Sequence, residues 1–161
     1  RNFFMNLQQE LNRPQPFRCL DQEVLLNFLR IGDQLDNRFS RLFREHGLTL
    51  SRFNILRSLA LAERPLTCGE IGQQMIQVVP AVTSPVDHLC SQELVERNRC
   101  TEDRRVVHVA ITEKGKQLVE DTMQPLRELE DRMLKQLSEA DKQSLLQLLN
   151  RTRESISHCD D

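Results

Sequence analysis

Residues 94–115, LVERNRCTEDRRVVHVAITEKG, decide how this chain is read. Leu94 and Val95 open an apolar strand that runs into the charged stretch Thr101-Glu102-Asp103-Arg104-Arg105. The chain then returns through Val107, Val109 and Ile111, which alternate with His108 and Ala110. An apolar strand start before a charged turn and a period of two after it predict a β-hairpin with a basic tip. Taken alone, charges at such a tip read as keeping a strand edge solvated and nothing more. Here two short helical patterns precede the hairpin and Thr112 opens a long amphipathic segment after it. Helix, turn, helix and a hairpin ending in paired arginines is an arrangement that lays one helix in a DNA major groove with an arm beside it.

Working outward from the hairpin, residues 79–93, VPAVTSPVDHLCSQE, form the second of those helical patterns. Val82, Val86 and Leu89 make its inward stripe, which leaves Thr83, Ser84, Asp87, His88 and Ser91 toward solvent. Pro85 inside a helix would cost about 3 kcal/mol. A late start avoids this cost, with Ser84 as N-cap and Pro85 as first helical residue. The first helical pattern, CGEIGQQM at 68–75, is announced by the capping box Thr67-Cys68-Gly69-Glu70 and turns Ile71 and Met75 inward. Leu66 is a strand-like link before it.

Further upstream, Ser51 is expected to cap a helix over 51–63 with Phe53, Leu56, Leu59 and Ala60 on one side, and Pro65 to stop it. Val24, Phe28, Ile31, Leu35, Phe39 and Leu42 recur at helical spacing from Leu20, ending near His46-Gly47 with Gly47 as a left-handed cap. The turn-rich residues 1–18 read as an arm. Downstream, Leu118, Met123, Leu126, Leu129, Met133 and Leu137 form a stripe that Pro125 should kink. Ser138-Glu139-Ala140-Asp141 then opens a terminal helix carrying Leu145, Leu148, Leu149, Thr152 and Ile156. The end helices hold more leucine-rich face than one small lobe can cover, which implies a twin chain.

Composition excludes other classes. Apolar residues are 39% and charged residues 29% of the 161, as in an ordinary helix-rich chain. No apolar run approaches the roughly 18 residues of a membrane span, and RNFFMNLQQE lacks a signal peptide's apolar core. A cytoplasmic location is expected. Cys19, Cys68, Cys90, Cys100 and Cys159 are an odd count with no CxxC pair, so free thiols are expected and no metal or cofactor. Phosphate-loop, dinucleotide, zinc-protease and nucleophile-elbow motifs are all missing, and with them any sign of an enzyme. Charge runs against nucleic-acid binding: the net is -2. Residues 66–105 set Arg97, Arg99, Arg104 and Arg105 against Glu70, Asp87, Glu93, Glu96, Glu102 and Asp103. Any DNA affinity should therefore be weak and strongly salt-sensitive.

LVER, the acidic-then-basic DRR, VAITEKG and the LTxxEIG element at 66–72 together resemble the MarR family of winged-helix transcriptional regulators, across roughly residues 20 to 156. The resemblance implies a mainly α fold with a small β-hairpin, a winged helix-turn-helix lobe and a helical dimerisation region. The segments it implies are an arm at 1–18, a dimerisation helix at 19–47, the DNA-binding lobe at 48–112 and dimerisation helices at 113–161. It also implies a homodimeric repressor on a pseudo-palindromic double-stranded operator, released by a small aromatic or anionic effector. Asp103 would brace the wing while Arg105 and Arg104 reach the minor groove or its phosphates. Thr83, Ser84 and His88 would meet bases or backbone, with Gln73 and Gln77 beside them.

The chain departs from the family where Ser84 stands for a common arginine, Pro85 for leucine and Glu93 for glycine. Some members sense oxidants through a cysteine near the position of Cys19, but the tyrosine that often partners it is absent from this chain. The missing arginine, the acidic balance and Pro85 fit a second reading, a winged-helix dimer that binds protein without specific DNA binding.

Overall fold

A computed structural model of the chain describes residues 5–76, 82–99 and 106–159. The elements are α1 (Leu7–Glu10), α2 (Leu20–Glu45), α3 (Leu50–Ala62), β1 (Leu66–Thr67), α4 (Cys68–Gln73), α5 (Thr83–Ser91), β2 (Val95–Arg99), β3 (Val107–Ile111), α6 (Glu113–Leu134) and α7 (Glu139–Ser157). They fall into two compact units, one up to Val119 and one from Glu120.

In the first unit α3 is the centre. Phe53, Ile55, Leu56 and Leu59 are all buried, which apolar side chains on more than one face of a helix require. Leu66, Ile71, Val86, Leu89 and Val109 complete this core from β1, α4, α5 and β3. Phe43 of α2 stacks on Phe53 with ring centroids 4.5 Å apart. The hairpin is present and gains a third strand. β3 runs between β1 and β2, antiparallel to both, with Leu66 opposite Val109 and Val95 opposite Ile111. The strand-like link at Leu66 is thus part of the sheet.

Helix ends follow local chemistry, with corrections to the reading above. α2 closes as expected: Gly47 has φ +71, its N–H donates to Arg44 O, and Leu48 N–H donates to Phe43 O. α3 is capped by Thr49, whose hydroxyl accepts from Arg52 N at 3.3 Å, and not by Ser51. Ser51 lies inside the first turn, with its Oγ buried and unpartnered. Glu63, left-handed at φ 53, ends α3 two residues before Pro65. The Thr67–Glu70 capping box forms, but α4 stops at Gln73 and Met75 is only half-buried.

Ser84 does not cap α5. The helix begins at Thr83 after Val82, which makes no side-chain cap bond. Pro85 is therefore the third helical residue, still within the turn whose N–H groups have no intrahelical partner, so its missing donor costs nothing there. The helix α6 continues through Pro125.

The expected arm contains structure of its own. Asn6 and Gln9 form a capping box on α1, Leu7 is buried, and Glu10 Oε1 lies 2.6 Å from Arg30 Nη2 of α2. In the second unit the Ser138–Asp141 capping box starts α7 as expected. Leu145, Leu146, Leu148, Leu149 and Ile156 of α7 are exposed. So are Leu20, Val24, Leu25, Leu29 and Ile31 of α2 in the first unit.

Candidate nucleic-acid interface

The helix α5 presents two chemically distinct faces because its apolar residues recur every three or four positions. Val82, Val86 and Leu89 are buried, whereas Thr83, Ser84, Asp87, His88 and Ser91 are exposed. Three of the expected contact residues, Thr83, Ser84 and His88, therefore share one accessible surface. Gln73 is exposed at the end of α4. Gln77, Asp103, Arg104 and Arg105 lie outside the described residues.

Two contacts absent from the sequence reading organise this face. Arg97 of β2 reaches back to α5, where its Nη1 is 2.6 Å from Asp87 Oδ1 and its Nη2 donates to Thr83 O at 3.5 Å. Asp87, the one charged residue of α5 apart from any charge on His88, is thus paired. The two residues stand ten positions apart across a helix-to-strand turn, a spacing no local rule marks. Below α4, Arg64 Nη2 lies 2.8 Å from Glu70 Oε1. The backbone N–H of Thr67, with Arg64 and the Thr67 hydroxyl, holds the Glu70 carboxyl down to about 2 from its ordinary 4.5.

The end of α5 is locked to the start of α6. Glu93 has φ 60; its N–H donates to Cys90 O and Leu94 N–H donates to Leu89 O, a Schellman closure with glutamate where glycine is favoured. Three successive carbonyls past the helix are then satisfied by the next element. Lys114 Nζ donates to Gln92 O at 2.8 Å, Thr112 Oγ1 to Glu93 O at 2.8 Å, and Thr112 N–H to Leu94 O at 3.1 Å. Thr112 Oγ1 also accepts from Gly115 N at 3.1 Å, which makes it a cap of α6. Gly115 has no room for a side chain, since a Cβ there would stand 2.2 Å from Leu94 O. These bonds fix the passage from α5 into the sheet and α6.

Of the cysteines, Cys19, Cys68, Cys90 and Cys159 are free thiols, and burial pushes Cys90 up. Among the described residues no cluster of three or more His, Cys, Asp or Glu could hold a metal. A cavity of about 500 Å³ is lined by Leu59, Ala110 and Ile111 with Glu63, Arg64 and Lys116 at its edge. Both cations there are already engaged, Arg64 by Glu70 and Lys116 by Glu113 at 2.6 Å. No helix among the described residues is long and apolar enough to cross a membrane.

A helix pair set between the first and second strands of a three-stranded sheet, with a polar helix face left accessible, defines a winged helix-turn-helix protein. The family described as transcriptional regulator SarA/Rot matches residues 37–122. The HTH-type transcriptional regulator MhqR of Bacillus subtilis (strain 168) is 30% identical over 118 residues, 73% of this chain and 80% of that protein. A MarR transcription factor from Planctomyces limnophilus superposes with a TM-score of 0.65 at 29% identity, over 84% of this chain and 98% of that one. The S. aureus MepR–DNA complex shares the fold with a TM-score of 0.69 at 22% identity, over 80% and 93% of the two chains. The chain belongs to the MarR-type winged-helix transcriptional regulators, through their SarA/Rot family.

Proposed function

We propose that this regulator binds DNA as a homodimer and represses transcription from a pseudo-palindromic operator. The observation that carries the reading is the exposed polar face of α5: Thr83, Ser84 and His88 point away from a helix pinned by Val86 and Leu89, and the sequence adds Arg104 and Arg105 between β2 and β3. MepR, a protein of the same fold, has been crystallised with DNA. Residues 48–112 then read DNA, with Gln73 and Gln77 beside the helix and Asp103 bracing the wing. Segments 19–47 and 113–161 pair the two chains, supported by the exposed leucines of α2 and of α7, and 1–18 accompanies α2. A small aromatic or anionic effector releases the operator. The apolar wall of Leu59, Ala110 and Ile111 favours a flat ring there, because the neighbouring cations have partners.

The test is binding of wild type and Arg105→Ala to the gene's own upstream DNA and to random DNA across a salt series. A uniform loss, with a salt slope shallower by about one unit, marks a phosphate contact, and a loss confined to operator marks minor-groove reading. The absence of Lys and Arg from α5 favours a second reading, a winged-helix dimer that binds protein. Unchanged affinity in both DNAs selects that reading.

A further inference from the structure

We infer that Arg97 serves the DNA interface as the counter-ion of Asp87, and not as a contact to DNA. The inference rests on the DNA-binding reading above. Asp87 is a carboxylate on the exposed face of the recognition helix, one turn after Thr83 and Ser84 and next to His88. Left unpaired there, it would oppose every phosphate that approaches, and the helix carries no Lys or Arg to offset it. Arg97 supplies the compensation from the neighbouring strand. Its guanidinium places Nη1 2.6 Å from Asp87 Oδ1 and Nη2 3.5 Å from Thr83 O, so its fork is turned toward the helix. It is also the less exposed of the two side chains, at 34% against 57% for Asp87. A residue whose main task was to meet phosphate would leave its donors toward solvent.

Four accounts of Arg97 separate in a double-variant experiment on the full chain, read as affinity for upstream and random DNA at low salt. As a counter-ion, Arg97→Ala weakens binding to both DNAs by about tenfold, because one change removes a positive charge and uncovers a negative one. Asp87→Asn alone binds at least as well as wild type, and Arg97→Ala/Asp87→Asn returns to within about threefold of it. The control is Arg97→Ala/Glu96→Gln, which has the same net charge but leaves Asp87 uncovered, and it stays as weak as Arg97→Ala. Arg97→Lys, which keeps the charge, stays within about threefold of wild type. If Arg97→Ala melts below the assay temperature, Arg97→Gln replaces it in each combination.

A double variant as weak as Arg97→Ala overturns the inference in favour of a direct phosphate contact. Equal rescue by Glu96→Gln overturns it in favour of net charge alone. Equal losses from Arg97→Ala and Asp87→Asn reduce the pair to a structural tie. Failure of wild type to shift either DNA is a different result, which removes the DNA-binding reading itself.

Discussion

Gly115→Ala is the sharpest single test of the joint between the recognition helix and α6. The added methyl would sit 2.2 Å from Leu94 O and 2.8 Å from Ile111 Cγ1. A carbon-to-oxygen approach is normally no closer than about 3.3 Å, so the carbonyl must retreat by about 1 Å. That carbonyl accepts from the Thr112 N–H at 3.1 Å and shares with Glu93 O the single Thr112 hydroxyl proton, and the retreat breaks or stretches both contacts. Forcing a methyl into packed space costs about 1–3 kcal/mol. Two weakened hydrogen bonds add about 1 kcal/mol each, and alanine's better helix propensity returns about 1. The expected net loss is about 2–4 kcal/mol, or roughly 5–15 °C in melting temperature for a chain of this size. Urea and thermal unfolding followed by circular dichroism measure it. Gly32→Ala in α2, where nothing lies within 4 Å, serves as the reference and should be neutral or stabilising. A Gly115→Ala protein as stable as wild type would refute the reasoning, since the contact with Leu94 would then not exist.

Glu93→Gly should stabilise the protein by about 0.5–1 kcal/mol, by removing a left-handed non-glycine residue at φ 60; an unchanged or lower urea midpoint counts against the Schellman geometry. Glu70 has its folded pKa depressed to about 2 from 4.5, so its stabilising effect is complete above about 4.5 and is lost as pH falls toward 2. Glu70→Gln should accordingly flatten the acid limb of the stability profile in that window, and an unaltered limb would show that the carboxyl is not held. The dimer is tested by light scattering: wild type should have twice the chain mass, and Leu145→Glu/Leu149→Glu should dissociate or unfold it, because both residues are exposed apolar positions on α7. A wild-type monomer at micromolar concentration defeats the pairing.

What the sequence displayed, it displayed through period and punctuation. The stripe from Val24 to Leu42, the glycine at 47 and the Thr67–Glu70 and Ser138–Asp141 boxes are local signals, each needing only neighbours within a turn, and each appears in the structure. Errors arose where two local signals competed. Both Thr49 and Ser51 are able to cap α3, and the choice goes with the buried positions of Phe53 and Leu56, the helix starting two residues earlier. Ser84-Pro85 looks like a helix start, yet Val82, buried at the head of α5, draws the helix back to Thr83. The family's glycine at 93 was a sound clue to backbone shape even though this chain places glutamate there, because closure is imposed by the carbonyls of Leu89 and Cys90 rather than by the residue.

The interface was least legible because its electrostatics are tertiary. Counted along residues 66–105, six acids outnumber four arginines. That window cuts through pairs that space brings together. Glu70 is met by Arg64, two residues before the window opens, and Glu93 by Lys114 at 3.7 Å, nine residues after it closes. Those two cations bring positive charge level with the acids. Asp87 is met by Arg97 inside the window. Glu96 and Arg99 on β2 are then the ionised residues without an ion-pair partner among the described part of the window. An acid excess that argues against DNA along the chain thus largely cancels within the fold. In the proposed function, non-specific affinity is assigned to Arg104 and Arg105, and sequence discrimination to the uncharged donors and acceptors of Thr83, Ser84 and His88. Such a division needs α5 held to its neighbours, and the Arg97–Asp87 pair and the Thr112–Gly115 joint are the contacts that hold it.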